Sequence, residues 1–150
     1  MWYSLDNPGI KLNDEQLKEE ILSRGNWVSI IDGPSGCGKT RLVNSLNSEG
    51  TVVMSCRRIV EGLVSYIRKD GMRNDFIRLI EEIPCETFCL EDADWSLQNK
   101  ESMQETVGLC LLHMTENRRV IVTGINIENR CGRLLYYLKR WMYAYYRFCE

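Results

Sequence analysis

The sequence predicts an α/β fold, a parallel sheet of four to five strands with helices on both faces. Three observations lead there. Short runs rich in apolar and β-branched residues (27–31, 51–55, 87–90 and 120–123) alternate with longer stretches whose apolar residues recur at helical spacing. The runs are nearly continuous in apolar character, as strands buried on both faces must be, and right-handed crossovers then place helices on either side. The turn after the first run is glycine-rich and opens directly into a helical pattern, so it lies beyond the carboxyl ends of the strands. At 150 residues the chain reads as a single domain, 1–150, able to bury close to 70% of its unfolded surface.

Taken in order, residues 2–8 read as a short extended arm. Asn13 and Gln16 have the spacing of a helix-opening capping box, Leu17, Ile21 and Leu22 give that helix an apolar side, and Gly25-Asn26 ends it. The first core strand, the glycine-rich turn and a helix to about Asn47 follow. After the second strand, Ile59, Val60, Leu63, Val64 and Ile67 mark a helix closed by Lys69-Asp70-Gly71, and Phe76, Ile77, Ile80 and Ile83 mark another, stopped at Pro84. The third strand runs into Glu91-Asp92-Ala93-Asp94. Met103, Val107, Cys110 or Leu111, and Met114 define the next helix, before the fourth strand. Leu134, Leu138, Trp141, Tyr145 and Phe148 read as a final amphipathic helix rich in aromatics, a face for core or interface packing more than for stacking on bases.

The chemistry is concentrated in Gly33-Pro34-Ser35-Gly36-Cys37-Gly38-Lys39-Thr40, which fits G-x-x-x-x-G-K-[ST]. Glycines let the backbone wrap an oligophosphate while successive N–H groups point inward, and the helix that follows adds its positive end. Lys39 would reach the β- and γ-phosphates, Thr40 would place a hydroxyl on Mg²⁺, and Arg41 follows in the same turn. The motif therefore calls for a nucleoside triphosphate with Mg²⁺. Phosphoryl transfer also needs a carboxylate for the metal's hydration shell and a group to orient the attacking water, and Glu91 and Asp92 supply acids at the end of an apolar strand. A polar residue at the end of the fourth strand, Thr123 or Asn126, is placed to sense the γ-phosphate. Cys37 sits in the loop near a helix start, where a thiolate is favoured, although a tolerated small residue explains it as well.

Charge and cysteine usage set the surroundings. Net charge is −2, but residues 118–150 hold seven basic side chains against two acidic ones, so Arg118, Arg119, Arg130, Arg133, Lys139, Arg140 and Arg147 offer a basic end for nucleic acid or an acidic partner. Seven scattered cysteines without a C-x-x-C pair read as reduced, mostly buried thiols. No apolar run approaches the ~20 residues of a membrane span, and the N-terminus lacks the pattern of a secretory signal, so a cytoplasmic protein is expected.

Over residues 26–133 the chain resembles the ATPase core of the bacterial replication initiator DnaA and its AAA+ relatives. Ser55-Cys56-Arg57-Arg58-Ile59-Val60-Glu61-Gly62-Leu63-Val64 resembles the initiator's segment after the second strand, and Asn74-Asp75-Phe76 stands where its next short helix begins. Leu90-Glu91-Asp92, followed by Lys100-Glu101-Ser102-Met103-Gln104-Glu105, is similar to its Walker B strand and K-E-x-x-Q-E helix start. Residues 120–123 resemble its sensor 1 strand, and Arg130 to Arg133 lies near its arginine finger, with Arg133 the nearer match. The resemblance implies a three-layer P-loop NTPase of AAA+ type. It also implies an ATP-binding module, with at most slow hydrolysis, in DNA replication or mobile-element biology. The family's acid pair is Asp-Asp, so with Glu91-Asp92 either carboxylate could serve the metal shell. The family's fifth strand, helical lid and duplex-binding domain are not evident after Arg133. A partner, whether a second copy or a replication protein, is expected at the aromatic C-terminal helix.

Two other classes share the loop. Ile31-Asp32-Gly33-Pro34-Ser35-Gly36-Cys37-Gly38-Lys39 also resembles the opening of cytidylate and uridine kinases, although no arginine-rich lid is obvious between Gly71 and Arg119. Strand order discriminates: AAA+ cores put the sensor strand between the loop strand and the acid strand, whereas these kinases have the latter two adjacent. The third class is a nucleotide-binding adaptor without catalysis.

Overall fold

The structure is a computed structural model describing residues 1–46, 50–67 and 72–149. The chain begins with β1 (Trp2–Ser4), β2 (Asn7–Leu12) and α1 (Asp14–Ser23), then β3 (Val28–Asp32) and α2 (Lys39–Ser45). Next come β4 (Thr51–Ser55), α3 (Cys56–Ile67), α4 (Met72–Glu81), β5 (Thr87–Glu91), α5 (Ala93–Leu97) and α6 (Glu101–Met114). β6 (Arg119–Gly124), α7 (Ile127–Arg130), α8 (Gly132–Leu138), a 3-10 turn (Arg140–Met142) and β7 (Tyr143–Phe148) complete it. The helix end read at residues 69–71 lies outside the described residues.

One sheet, ordered β2-β1-β7-β3-β6-β5-β4, organises these elements. The strands from β7 to β4 pair in parallel, and β1 and β2 extend the β7 edge antiparallel. The sensor strand β6 therefore lies between β3 and β5, the order expected of the AAA+ reading and not of the kinases. Side chains alternate across the sheet, which sorts the core into two layers. Val28, Ile30, Phe88, Leu90, Val120, Val122 and Tyr145 face α3, α5, α6 and α8, while Ile31, Cys89, Ile121, Ala144 and Tyr146 face α1 and α2. α1 starts at the capping box anticipated from its sequence: Asn13 Oδ1 accepts from Gln16 N, and Gln16 Oε1 accepts from Asn13 N. Among the described residues, no helix is long and apolar enough to cross a membrane.

The two ends of the chain correct the sequence reading. The N-terminal arm is instead β1 and β2, anchored by a fully buried Trp2 whose indole N–H donates to Asp14 Oδ1 at 2.9 Å. The expected C-terminal helix stops at Leu138, where Lys139 takes a left-handed φ of 65°, and the last six residues of the aromatic stretch form β7. β7 is a fifth parallel strand, pairing Val28 to Asp32 with Tyr143 to Arg147, and it was not evident from sequence. Helical spacing of Leu138, Trp141, Tyr145 and Phe148 masked a run whose aromatic content favours a strand and whose residues alternate between faces. With β1 and β2, this gives seven strands rather than four to five. The aromatic partner face divides accordingly. Tyr145 and Tyr146 are buried in the sheet, and Tyr136 and Trp141 remain exposed.

Candidate functional site

β3, β5 and β6 end side by side, and the residues singled out from sequence leave the sheet there. β3 delivers Gly33, whose N–H donates to Gly124 O at 3.1 Å, tying the start of the loop to the end of β6. A Cβ on Gly33 would lie 2.6 Å from Cys37 Sγ and 2.9 Å from Phe148 Cβ, so only glycine fits. Gly36 and Gly38 have φ of 81° and 104°, the left-handed region that turns the chain into α2. Cys37 N donates to Pro34 O at 3.2 Å within this turn, and its half-buried thiol lies against Gly33. Lys39, only 9% exposed, folds its ammonium back onto the loop, donating to Gly33 O and, at 3.1 Å, to Pro34 O.

Two acids meet this loop differently. Thr40 Oγ1 donates to Glu91 Oε1 at 3.3 Å, bringing the first turn of α2 onto the last residue of β5. Asp92 leaves the strand with a left-handed φ of 57°, and its N–H donates to the buried Thr123 Oγ1 at 3.3 Å. A threonine hydroxyl beside a carboxylate is the hard oxygen pair that Mg²⁺ favours, and the glycine cradle suits a polyphosphate, so the residues present fit Mg·ATP. Of the two sensor candidates, Thr123 touches the acid turn. Asn126 Oδ1 instead accepts from Asn129 Nδ2 at 2.7 Å, within α7. Arg41 turns away to pair with Asp14 at 3.2 Å, Arg130 pairs with Asp94 at 3.1 Å, and Arg133 reaches Glu105 at 3.9 Å. None of these three arginines pairs with the acids at the loop.

Three polar residues hold the corner and carried no role in the sequence reading. Asp32, buried at the end of β3, accepts from Asn126 N at 2.8 Å and from the Tyr145 hydroxyl, with Arg147 Nη2 at 3.7 Å. Burial and the Asp32 carboxylate raise the Tyr145 pKa, so the phenol stays a neutral donor. Asp94 is equally buried and binds the turn after β6. Gln104, also buried, donates to Leu97 O at 2.8 Å and Arg130 O at 3.3 Å, and accepts from Arg133 N and Leu134 N at 3.1 and 3.2 Å. It thereby satisfies amides at the start of α8 that have no partner within the helix. The sequence signal for Asp32 was a charge ending an apolar strand, and for Asp94 its place in the acidic run that follows one. Gln104 was visible as part of the K-E-x-x-Q-E segment, although its structural task was not.

Comparison with protein-family models and with curated proteins gives no match. Among solved structures, the chain is similar to domain III of the Thermotoga maritima replication initiation protein DnaA, with a TM-score of 0.65 and 14% identity over 86% of this chain and 58% of that one. A replication initiator DnaA bound to AMPPCP and single-stranded DNA matches with a TM-score of 0.62 and 20% identity, over 81% of this chain and 40% of that one. AMPPCP-bound DnaA from Aquifex aeolicus matches with a TM-score of 0.55 and 19% identity, over 74% and 36%. The fold is thus that of a DnaA AAA+ core, as the resemblance implied, and the chain spans less than two thirds of each of these proteins.

Proposed function

We propose that this chain is a Mg·ATP-binding module of the replication-initiator type, hydrolysing ATP slowly and working on DNA in replication or in a mobile element. The observation that carries this is the 3.3 Å contact between Thr40 Oγ1 and Glu91 Oε1 at the mouth of the glycine loop. It joins the loop to the acid strand across a sheet whose order is that of the initiator core. Neighbours of this fold that bind AMPPCP support the same reading.

In this assignment the backbone amides of residues 33–40 and the Lys39 ammonium take the phosphates. Lys39 is already inside the loop and exchanges two carbonyl partners for phosphate oxygens. Thr40 and Glu91 would hold Mg²⁺ through its water shell, and their 3.3 Å contact is what supports Glu91 over Asp92 for this role. The bound metal supplies charge neutralisation at the β- and γ-phosphates. Asp92, fixed by the hydrogen bond from its backbone N–H to Thr123 Oγ1, is left to orient water. Calorimetry of Lys39→Ala tests the reading: wild type binds Mg·ATP and the variant does not. Unchanged affinity in the variant would refute it. ATP binding without turnover, with or without DNA, would move the assignment to the nucleotide-binding adaptor.

The nucleic-acid part rests on a shallow groove beside the acid corner, lined by Arg57, Val60, Glu61, Trp95, Ser96 and Lys100. Trp95 is 80% exposed, an unusual cost for an indole with no ligand to cover. A flat ring with Lys100 beside it suits single-stranded DNA, stacking on a base and pairing with a phosphate, while Arg57 is paired with Glu61 at 2.9 Å. A DnaA neighbour solved with single-stranded DNA agrees with this partner.

A further inference from the structure

We infer that Asp94 is a positioning residue that ties the surface cation Arg130 to the acid turn, so that Mg·ATP seating at Thr40 and Glu91 is felt at Arg130. The inference rests on the nucleotide-binding reading above and goes beyond it to the way the site reports its occupancy.

The Asp94 side chain is 5% exposed, and burying a carboxylate is costly unless its oxygens are satisfied. Both are: Oδ1 accepts from Ile125 N at 3.0 Å, and Oδ2 pairs with Arg130 Nη1 at 3.1 Å. The approach depends on Gly124, where a Cβ would lie 2.7 Å from Asp94 Oδ1. Two exacting features, a buried charge and a strand-end glycine, thus serve one contact.

That contact lies in a closed circuit. Asp94 is two residues beyond Asp92, whose N–H is bound to Thr123 Oγ1, and Thr123 precedes the turn that Asp94 grips. On the other side, Asp32 holds Asn126 N at 2.8 Å, one residue before the phosphate loop begins. The turn of residues 124–126 therefore hangs between the loop strand and the acid turn and cannot shift independently of either. Arg130 closes α7 with its backbone carbonyl fixed by Gln104, while its side chain is 39% exposed. The guanidinium is the exposed end of this circuit, and Asp94 aims it.

The test uses the full chain with arginine side chains labelled with ¹⁵N, the Arg130 Nε signal being assigned by its loss in Arg130→Lys. Saturation with Mg·AMPPCP shifts that signal in wild type. In Asp94→Asn, which keeps the shape and the acceptor for Ile125 N, the shift is lost while calorimetric affinity changes by about fivefold or less, the low end of coupling between sites. A shift retained in Asp94→Asn, or a wild type that binds Mg·AMPPCP without moving Arg130, overturns the inference alone. A wild type that does not bind Mg·AMPPCP overturns the nucleotide-binding reading, and this inference falls with it. Should Asp94→Asn fail to fold, Arg130→Gln tests the circuit from its exposed end. The Ile125 amide must still respond to Mg·AMPPCP there, and loss of its response would place the connection outside Asp94.

Discussion

Replacing Gly124 by alanine probes the packing that brings the three strand ends together. The new methyl carbon would lie 2.7 Å from Asp94 Oδ1, 2.9 Å from Ile127 Cγ1 and 3.0 Å from Ile127 Cδ1. Neither neighbour has room to give, since Ile127 is fully buried and Asp94 is held by Ile125 N and Arg130. Overpacking costs about 1–3 kcal/mol, and weakening a hydrogen bond to a charged acceptor about 1.5–3 kcal/mol. Against this, alanine stiffens the unfolded chain and returns about 0.4–1 kcal/mol. The net expectation is a loss of about 2–4 kcal/mol, or roughly 5–15 °C in Tm for a domain of this size. Urea unfolding of the two proteins measures it. Gly36→Ala is the control, because nothing lies within 4 Å of that position and only its left-handed φ of 81° is penalised, about 1–2 kcal/mol. A Gly124→Ala loss below about 0.5 kcal/mol, the range of an unremarkable surface change, would refute the close approach of Asp94 to the strand end.

Three other expectations follow from the same corner. Glu91→Gln weakens Mg²⁺-dependent nucleotide binding, whereas Asp92→Asn leaves binding intact and slows turnover; the reverse pattern, read by calorimetry and phosphate release, would exchange the roles of the two acids. Burial pushes the Cys56, Cys110 and Cys131 thiols up to about 12 and raises Cys89 as well, so at pH 8 these four stay protonated and resist iodoacetamide. The half-buried Cys37 labels, as does the similarly half-buried Cys149, and Mg·ATP protects Cys37; mass spectrometry finding equal Cys37 labelling with and without ATP would remove the thiol from the phosphate path. Trp95→Ala weakens single-stranded DNA binding by about 5- to 150-fold if one base stacks there, and Lys100→Ala lowers the salt dependence by about one phosphate; fluorescence anisotropy across a salt series separates the two.

How much of this was legible depends on whether a residue's task is local. Gly33, Gly36, Gly38, Lys39 and Thr40 act through the backbone of one turn, and the motif contains that turn entire. The Asn13–Gln16 cap spans three residues and was read correctly for the same reason. Strands β3, β5 and β6 were legible because burial on both faces demands unbroken apolar runs, and the half-exposed edge strand β4 because Thr51, Val52 and Val53 are β-branched. β7 was not, because a strand beside one aromatic layer and an aliphatic core can alternate Tyr, Ala and Tyr while still showing apolar residues at helical spacing. Trp2 was similarly opaque: its burial depends on β7 and on Asp14, 12 residues away. Asp32 and Asp94 take their meaning from partners 94 and 31 residues distant, Asn126 and Ile125, and no local pattern encodes that pairing.

The order of the two acids has a physical reading in the strand itself. Glu91 is the last residue of β5 and still pairs with Ser55, so its Cα is fixed by the sheet. Asp92 has already turned into the left-handed region, and its amide rather than its side chain faces Thr123. The acid proposed for the metal is therefore the one with the sheet behind it. From that Cα, a glutamate reaches Thr40 Oγ1 at 3.3 Å. An aspartate is shorter by one carbon–carbon bond, about 1.5 Å, and would leave a gap too long for a direct hydrogen bond to Thr40. Glutamate at 91 matches this spacing between α2 and β5. Next door, Asp92 lies in a left-handed turn that the Thr123 hydroxyl, anchored in β6, holds through the Asp92 N–H.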